Sequence, residues 1–234
     1  EVSLPVEASG SPRPVVTVKG LPEGLSYDPD KGCIAGTPEK ISEQGTTVVV
    51  TADNGVGLAA ERTYTLCIYE KPSVDAGQWQ PARFGHPYEQ DLGITGTPSP
   101  NVIVTGLASG LCYDKAKGFI EGTPTMKGTF NVTLRVSNAA GSEQVVKTLV
   151  VGAPPAIGVY ALMDAIEGRP HNTPLKISGE PKPTATVTGL PNGLSYDSEN
   201  SALTGTTNDV GRHSVTVSAT NGVGEDVVHT FALV

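Results

Sequence analysis

The chain has 234 residues, a formal net charge of −8 and a hydrophobic share of 38%, with 28 glycines and 19 prolines. Its acidic residues are spread out and its lysines and arginines do not cluster, so we expect no nucleic-acid partner. No apolar stretch approaches the roughly 20 residues of a membrane-spanning helix, so we expect no membrane insertion. The glycine and proline content, with short runs of valine, isoleucine and leucine, predicts an all-β fold with many turns.

One set of sequence landmarks recurs three times in the same order. The stretch "GLPEGLSYD" at 20–28 returns as "GLASGLCYD" at 106–114 and as "GLPNGLSYD" at 189–197. A G-x-P-x-P motif precedes each copy, and a turn containing asparagine follows it. The order and spacing predict three domains, each about the size of a small β-sandwich. Their predicted bounds are 1–70, 71–152 and 153–234.

The first of these domains is shorter at its beginning than the other two. Only 19 residues precede Gly20, whereas about 35 residues precede the equivalent glycines of the second and third domains. We therefore expect the first domain to lack its first strand, which would leave an exposed sheet edge.

The last hairpin of each domain carries the clearest strand pattern. In the second domain Phe130, Val132, Leu134 and Val136 alternate with polar residues, which is typical of an antiparallel strand with one buried face. Asn-Gly or a related turn follows, and a return strand comes next. About seven short strands in a complete domain predict three tandem Ig-like antiparallel β-sandwich domains.

These motifs resemble the Ig-like repeat that is also described as dystroglycan-type and cadherin-like. The resemblance covers all three domains, although the third departs from the pattern at Ser201, Leu203 and Thr207. In the first domain it is carried by Gly10, Pro12, Pro14, Gly20, Leu21, Pro22, Gly24, Leu25, Gly32, Ile34, Gly36, Thr37, Pro38, Gly45 and Asn54.

The resemblance implies an extracellular or cell-surface setting, because such repeats form tandem arrays on large surface and secreted proteins. We therefore expect a non-enzymatic stalk or adhesion segment that spaces or presents other domains of the same polypeptide. Adhesion through its own faces or by self-association suits the same fold. Two alternatives remain open: an adhesin that binds a host or cell-surface protein or glycan, and an accessory module of a secreted polysaccharide-degrading enzyme.

A calcium site is one candidate in the first domain. Asp28 and Asp30 lie in "DPDKG", which has the beginning of a calcium-binding loop. The second acid does not recur in the other two domains, and no flanking helices are predicted. A hairpin turn is therefore the preferred interpretation, and no cofactor is expected apart from this calcium candidate.

Other candidate residues have weaker signals. Trp79, Phe84 and Tyr88 form an aromatic-rich stretch that could bind a ligand or pack into a domain joint. Cys33 and Cys67 share a domain and could form a disulfide if their strands face each other, although buried free thiols are preferred. The four histidines have no recognisable catalytic or metal-binding partners, so we expect no enzyme.

Overall fold

A computed structural model describes residues 2–75 and 77–234. The described residues form strands, turns and loops, and they include no helix long and apolar enough to cross a membrane. The three predicted ranges are called the first, second and third repeat below. In the first repeat, β1–β4–β3 form one antiparallel sheet and β2–β5–β6 form the other. These strands are β1 (Val2–Pro5), β2 (Val15–Lys19), β3 (Leu25–Asp28), β4 (Cys33–Gly36), β5 (Ser42–Asp53) and β6 (Ala60–Ile68).

The second repeat adds short strands to the same plan. One sheet has the order β9–β13–β12, the other contains β11, β14 and β15, and β8 pairs with β15 in parallel. The strands are β7 (Glu70–Ser73), β8 (Ala82–Arg83), β9 (Tyr88–Asp91), β10 (Thr95–Thr97), β11 (Asn101–Thr105), β12 (Leu111–Asp114), β13 (Phe119–Gly122), β14 (Gly128–Asn138) and β15 (Gly141–Ile157).

The third repeat again contains two three-stranded sheets, β16–β20–β19 and β18–β21–β22. A cluster of buried residues from both sheets, including Leu203 and Val217, forms its core. The strands are β16 (Pro170–Pro174), β17 (Ile177–Glu180), β18 (Thr184–Thr188), β19 (Leu194–Asp197), β20 (Ala202–Thr206), β21 (His213–Thr220) and β22 (Val227–Leu233). The prediction of tandem Ig-like β-sandwiches is confirmed.

The compact units of the chain do not follow the repeat ranges. One unit consists of Glu1–Asp75, Gly93–Ile103 and Arg135–Gln144, and the other consists of Ala76–Leu92, Val104–Leu134 and Val145–Val234. The bounds predicted for the three domains stay predictions.

The alternation predicted for the last hairpins is present in the structure. In β14, Val132, Leu134 and Val136 are fully buried, and in β21 Val215 and Val217 are fully buried as well. Their intervening neighbours are half-buried or exposed, as period-two alternation on a one-sided sheet requires. The central strand of each long sheet therefore supplies much of the core.

A recurring glycine explains why the "GL" landmark is repeated. Gly20, Gly106 and Gly189 have φ values of 79°, 82° and 79°, in the left-handed region. A Cβ at these positions would collide with the backbone carbonyls of Thr47, Asn131 and Ser214, which lie on the central strands of the longer sheets. The landmark therefore marks a close backbone approach that only glycine allows.

The edge strand of the first repeat corresponds to those of the other two. β1 pairs with β4 in the register Val2↔Gly36, β9 pairs with β13 as Tyr88↔Gly122, and β16 pairs with β20 as His171↔Gly205. The described residues of the first repeat contain no strand equivalent to β8. That the first domain lacks its first strand stays a prediction.

Truncation of two equivalent leucines should have unequal costs. Leu149 on β15 is fully buried, whereas Leu66 on β6 is half-buried. We expect Leu149→Ala to lower the free energy of unfolding by about 2–5 kcal/mol, because it leaves a cavity in a closed core. Leu66→Ala should cost less than half as much. Urea unfolding of both variants measures the difference, and equal costs would contradict the burial seen here.

Candidate functional site

The aspartates of the predicted calcium loop belong to a turn that recurs in every repeat. Oδ1 of Asp28 accepts hydrogen bonds from the backbone N–H groups of Asp30 and Lys31, at 3.0 and 3.1 Å. Asp114 and Asp197 accept the same pair of bonds two and three residues further on. These are Asx turns, in which a side-chain carboxylate stabilises the bend between two short strands.

The turn also lowers the pKa of two carboxylates, those of Asp28 and Asp197. The backbone N–H of Lys31 is the largest cause that holds the pKa of Asp28 below its ordinary value, and the Lys31 ammonium, 3.4 Å away, acts in the same direction. Hydrogen bonds from Asn200 lower the pKa of Asp197 in the same way. The described residues contain no cluster of three or more His, Cys, Asp or Glu side chains that could hold a metal ion. The calcium role of Asp28 and Asp30 stays a proposal.

The three predicted aromatic residues lie in different environments. Tyr88 is only 8% exposed, its hydroxyl donates to the carbonyl of Gln80 at 3.0 Å, and burial raises its pKa to about 12. Trp79 is half-buried, and Phe84 is exposed with the Lys127 ammonium 5.4 Å above its ring. Only Trp79 and Phe84 keep surface that a ligand could reach, so the proposed ligand-binding role rests on these two.

The three cysteines are free thiols in the structure. Cys33 on β4 and Cys67 on β6 are half-buried, and Cys112 is exposed. The neighbouring Cys67 side chain is the largest cause that raises the pKa of the Tyr69 hydroxyl. A disulfide between Cys33 and Cys67 is not present in the structure.

The connections between successive repeats form strands. β7, which follows the first repeat directly, pairs with β10 of the second repeat. The end of β15 pairs with β17 in the same way, with Ala153 opposite Glu180 and Ile157 opposite Ile177. Each connection is therefore held by a ladder of backbone hydrogen bonds.

An asparagine fastens each of these connections to the repeat that follows it. The side-chain amide of Asn138 donates to the carbonyls of Glu70 at 2.8 Å and Pro98 at 3.0 Å. Asn221 donates to the carbonyls of Ala153 and Pro181, both at 2.8 Å. One amide group thus joins the connecting strand to the G-x-P-x-P loop.

The sequence contained a signal for this role that was interpreted only as a hairpin turn. The same asparagine recurs in the first repeat as Asn54, whose amide donates to the carbonyl of Pro12 at 3.2 Å. Pro12, Pro98 and Pro181 all follow cis peptide bonds. The recurrence of the asparagine together with the G-x-P-x-P motif is the pattern that marks the joint.

An open groove of about 550 Å³ lies between the two sheets of the first repeat. Side chains of β1, β4, β5 and β6 line it, among them Leu4, Ile34, Val50 and Leu66. At its rim Leu4 keeps 37% of its surface exposed and Tyr64 keeps 54%. The groove exposes apolar surface that a closed sandwich would bury.

Comparison with known proteins assigns all three repeats to one family. The family model described as "Putative Ig domain" matches residues 2–68, 79–152 and 161–234. Among solved structures, extracellular domains 3–5 of Drosophila OTK superpose with a TM-score of 0.57 at 15% identity, covering 95% of this chain and 85% of that one. The N-terminal eight Ig domains of Down Syndrome Cell Adhesion Molecule give 0.57 at 17% identity, covering 99% and 34%. At these identities the likeness shows the fold alone.

Curated relatives include bacterial proteins that are named as adhesins. The "Serine-rich adhesin for platelets" of Staphylococcus aureus strain MRSA252 is 35% identical over 142 residues, which cover 58% of this chain and 10% of that protein. The protein of the same name from strain MW2 is also 35% identical over 142 residues, covering 58% and 6%. The chain therefore spans about a tenth or less of the length of the curated relatives it matches.

Removing the Asp28 side chain should destabilise the first repeat whether calcium is present or not. At neutral pH we expect Asp28→Ala to lower the melting temperature equally in calcium and in EDTA, because the carboxylate holds backbone N–H groups. Since the folded-state pKa of Asp28 is lowered, its contribution is complete above the ordinary value of 3.8 and is lost as the pH falls below it. Thermal melts across this range measure both effects. A wild-type melting temperature that falls on addition of EDTA would contradict the turn interpretation.

Loss of the joint asparagine should loosen the connection before the second repeat. Asn138→Ala removes three hydrogen bonds, two donated to the joint and one accepted from the N–H of Ala140 in its own turn, and should lower the free energy of unfolding by about 1–3 kcal/mol. The backbone amides of Glu70–Ser73 should also exchange faster with deuterium. Asn54→Ala is the matched control, because Asn54 accepts the same kind of turn bond, from the N–H of Val56, but donates to one carbonyl only, that of Pro12. A control variant that loses as much stability as Asn138→Ala would argue against the joint role.

Proposed function

This chain belongs to the family of Ig-like domains that all three of its repeats match, and from this premise we propose that it is a non-catalytic segment of a larger cell-surface or secreted protein. Its role is to space and present other domains and to take part in adhesion. The similarity over 142 residues to a staphylococcal surface adhesin supports an adhesion-type role outside the cell.

The joints are the observation that carries this proposal. A flexible linker would let neighbouring domains reorient freely, whereas here the connections pair as strands and are fastened by Asn138 and Asn221. Burial at the second joint supports the same role, because Val223, beside Asn221, is fully buried. Ordered connections suit a segment that holds other domains in place.

One salt bridge adds to the second joint. Lys127 of the second repeat lies 3.4 Å from the carboxylate of Glu180 in the third, and its ammonium also lies above the ring of Phe84. Both charged groups are partly exposed, so each contact contributes less than about 1 kcal/mol. Lys127 therefore contacts both Glu180 and Phe84, a residue of the aromatic-rich stretch.

Direct ligand binding near Trp79 is the second candidate function. Trp79 is the single tryptophan of the chain, and it and Phe84 both keep accessible surface. An aromatic pair of this kind can stack on a sugar ring or anchor a protein partner. This function would need the aromatic side chains themselves, whereas the presentation role needs only the folded repeats.

An attachment assay under flow separates the two functions. The parent surface protein is displayed with this segment intact, with the segment replaced by a Gly/Ser linker of equal residue number, or with Trp79→Ala. At matched surface levels we expect the linker variant to attach several-fold less and Trp79→Ala to attach normally. Unchanged attachment of the linker variant would contradict the presentation role. Loss of attachment in Trp79→Ala alone would assign the function to direct binding instead.

A further inference from the structure

An asparagine followed by glycine occurs three times in the chain, as Asn54-Gly55, Asn192-Gly193 and Asn221-Gly222. Asparagine is chemically labile, and it deamidates fastest before glycine, because glycine has no side chain to shield its backbone nitrogen from the asparagine amide. The joint asparagine of the second repeat, Asn138, is followed by alanine instead. Of the two joint asparagines, only Asn221 therefore has the reactive sequence.

Deamidation at Asn221 would need no reactant other than water. The backbone nitrogen of Gly222 attacks Cγ of Asn221 and forms a new C–N bond. The Cγ–Nδ2 bond breaks, and Nδ2 leaves as ammonia with the proton that the Gly222 nitrogen gives up. Water then opens the succinimide ring and leaves aspartate, or isoaspartate if the main chain now runs through Cγ.

The second joint holds the leaving group of this reaction. Nδ2 of Asn221 donates to the carbonyls of Ala153 and Pro181, both at 2.8 Å. Its Oδ1 accepts the N–H of Val223 at 3.1 Å. Departure of Nδ2 as ammonia requires both of its hydrogen bonds to be given up. The closed joint therefore protects Asn221, and an opened joint removes that protection.

Packing around the amide adds to this protection. Asn221 is half-buried, and Val223 is fully buried. A Cβ added at Gly152 would lie 3.0 Å from Cγ2 of Val223, so this valine lies directly against the backbone of β15. Val223 thus connects the turn of Asn221 with the strand that continues into the joint. Loss of this contact would favour opening of the joint.

The other two Asn-Gly pairs are held less firmly. Nδ2 of Asn54 donates to a single carbonyl, that of Pro12 at 3.2 Å. The side-chain amide of Asn192 is exposed and makes no hydrogen bond with any residue that the structure describes, although its backbone N–H donates to Asp209. The amides of Asn192, Asn54 and Asn221 therefore form a series with no, one and two bonds to carbonyl oxygens.

The product of deamidation could not restore the joint. A carboxylate only accepts hydrogen bonds, whereas the amide of Asn221 donates two. The carboxylate would face the carbonyl oxygens of Ala153 and Pro181, acceptor against acceptor. The connection would then lose the group that fastens it to the G-x-P-x-P loop of the third repeat.

We propose that Asn221 is a site of spontaneous deamidation controlled by the second joint, so that opening of the joint is recorded as conversion of the amide to a carboxylate. The closed joint keeps the amide unreacted, an opened joint allows the reaction, and the product prevents the same closure. Asn138 makes the same kind of bonds at the other joint but is followed by alanine, so that joint lacks this reaction.

Mass spectrometry of the full chain tests the protection. The chain is incubated at mildly alkaline pH in heavy-oxygen water, with and without urea, so that only deamidation during the incubation incorporates the label. In urea we expect the three Asn-Gly pairs to react at similar rates and Asn138 to react slowly. Without urea, Asn221 should react at least about tenfold more slowly than in urea, and more slowly than Asn192. A rate at Asn221 that is the same with and without urea would overturn the proposal.

A variant that loosens the joint tests the control by opening. Val223→Ala leaves the Asn-Gly pair intact but removes the contact with Gly152. We expect it to raise the rate at Asn221 several-fold without urea and to leave the rate in urea unchanged. Asn54 and Asn192 are the internal controls, because local opening of the joint should not change their rates. An unchanged rate at Asn221, or an equal rise at Asn192 from unfolding of the whole repeat, would overturn the proposal.

Hydrogen–deuterium exchange tests the consequence of the reaction. Asn221→Asp reproduces the aspartate product, and Asn221→Ala is its control, because it removes the amide without adding a charge. The backbone amides of Ala153, Ala156 and Ile157 should exchange several-fold faster in Asn221→Asp than in the unmodified chain, and faster than in Asn221→Ala. Exchange in Asn221→Asp at the rate of the unmodified chain would overturn the claim that deamidation keeps the joint open.

Discussion

Each repeat of this protein depends on the burial of apolar side chains between two small sheets. A repeat of about 80 residues has little interior, so each alternating position on its central strand matters for stability. Val132, Leu134 and Val136 meet this requirement in β14, and Val215 and Val217 meet it in β21. Close backbone approaches at Gly106 and Gly189 bring loops onto these strands, and the Asx turns close the short hairpins. In the second repeat the short strand β8, which pairs with the edge of β15, then covers the remaining side of the core.

The same requirement links the core of a repeat to its joint. β15 forms a sheet strand of the second repeat, carries β8 on its edge, and continues as the strand that pairs with β17. Asn221 then fastens this continuation to the next G-x-P-x-P loop. One strand therefore contributes to the core, to the edge pairing and to the connection. A change in the connection should for this reason also alter the stability of the second repeat. Such coupling suits a segment whose role is to hold other domains in place.

Much of this architecture could be predicted from the sequence because it depends on local patterns, namely alternating apolar residues and recurring turn motifs. Period-two alternation around Leu134 identified the hairpin strand, and the threefold recurrence of the Gly20 landmark identified the repeats. The DPDKG stretch was expected to be a turn because Asp30 did not recur, and the Asp28 carboxylate does cap a turn. The role of Asn138 at the joint is harder to predict from the sequence. An asparagine in a hairpin turn needs no second role, and the partner Glu70 lies 68 residues away in the chain.

The residues that the sequence could not place depend on distant packing. Tyr88 stands in an aromatic-rich stretch beside Trp79 and Phe84, and only the folded edge strand shows that its ring is buried while theirs keep surface. For the first repeat the sequence predicts an exposed sheet edge, but it does not predict the apolar groove between the two sheets. Leu66 is half-buried whereas the equivalent Leu149 is fully buried, and no local pattern in the sequence encodes this difference.

The central claim is that three Ig-like sandwiches are joined by ordered strands and that the end of β6 is less buried than the equivalent part of β15. Hydrogen–deuterium exchange resolved to single amides tests it most directly. The account predicts strong protection in β14 and β21, measurable protection in the connection Glu70–Ser73, and faster exchange at the end of β6 than at the equivalent part of β15. Exchange of the connection at the rate of an unstructured peptide, or equal protection of the two strand ends, would contradict it.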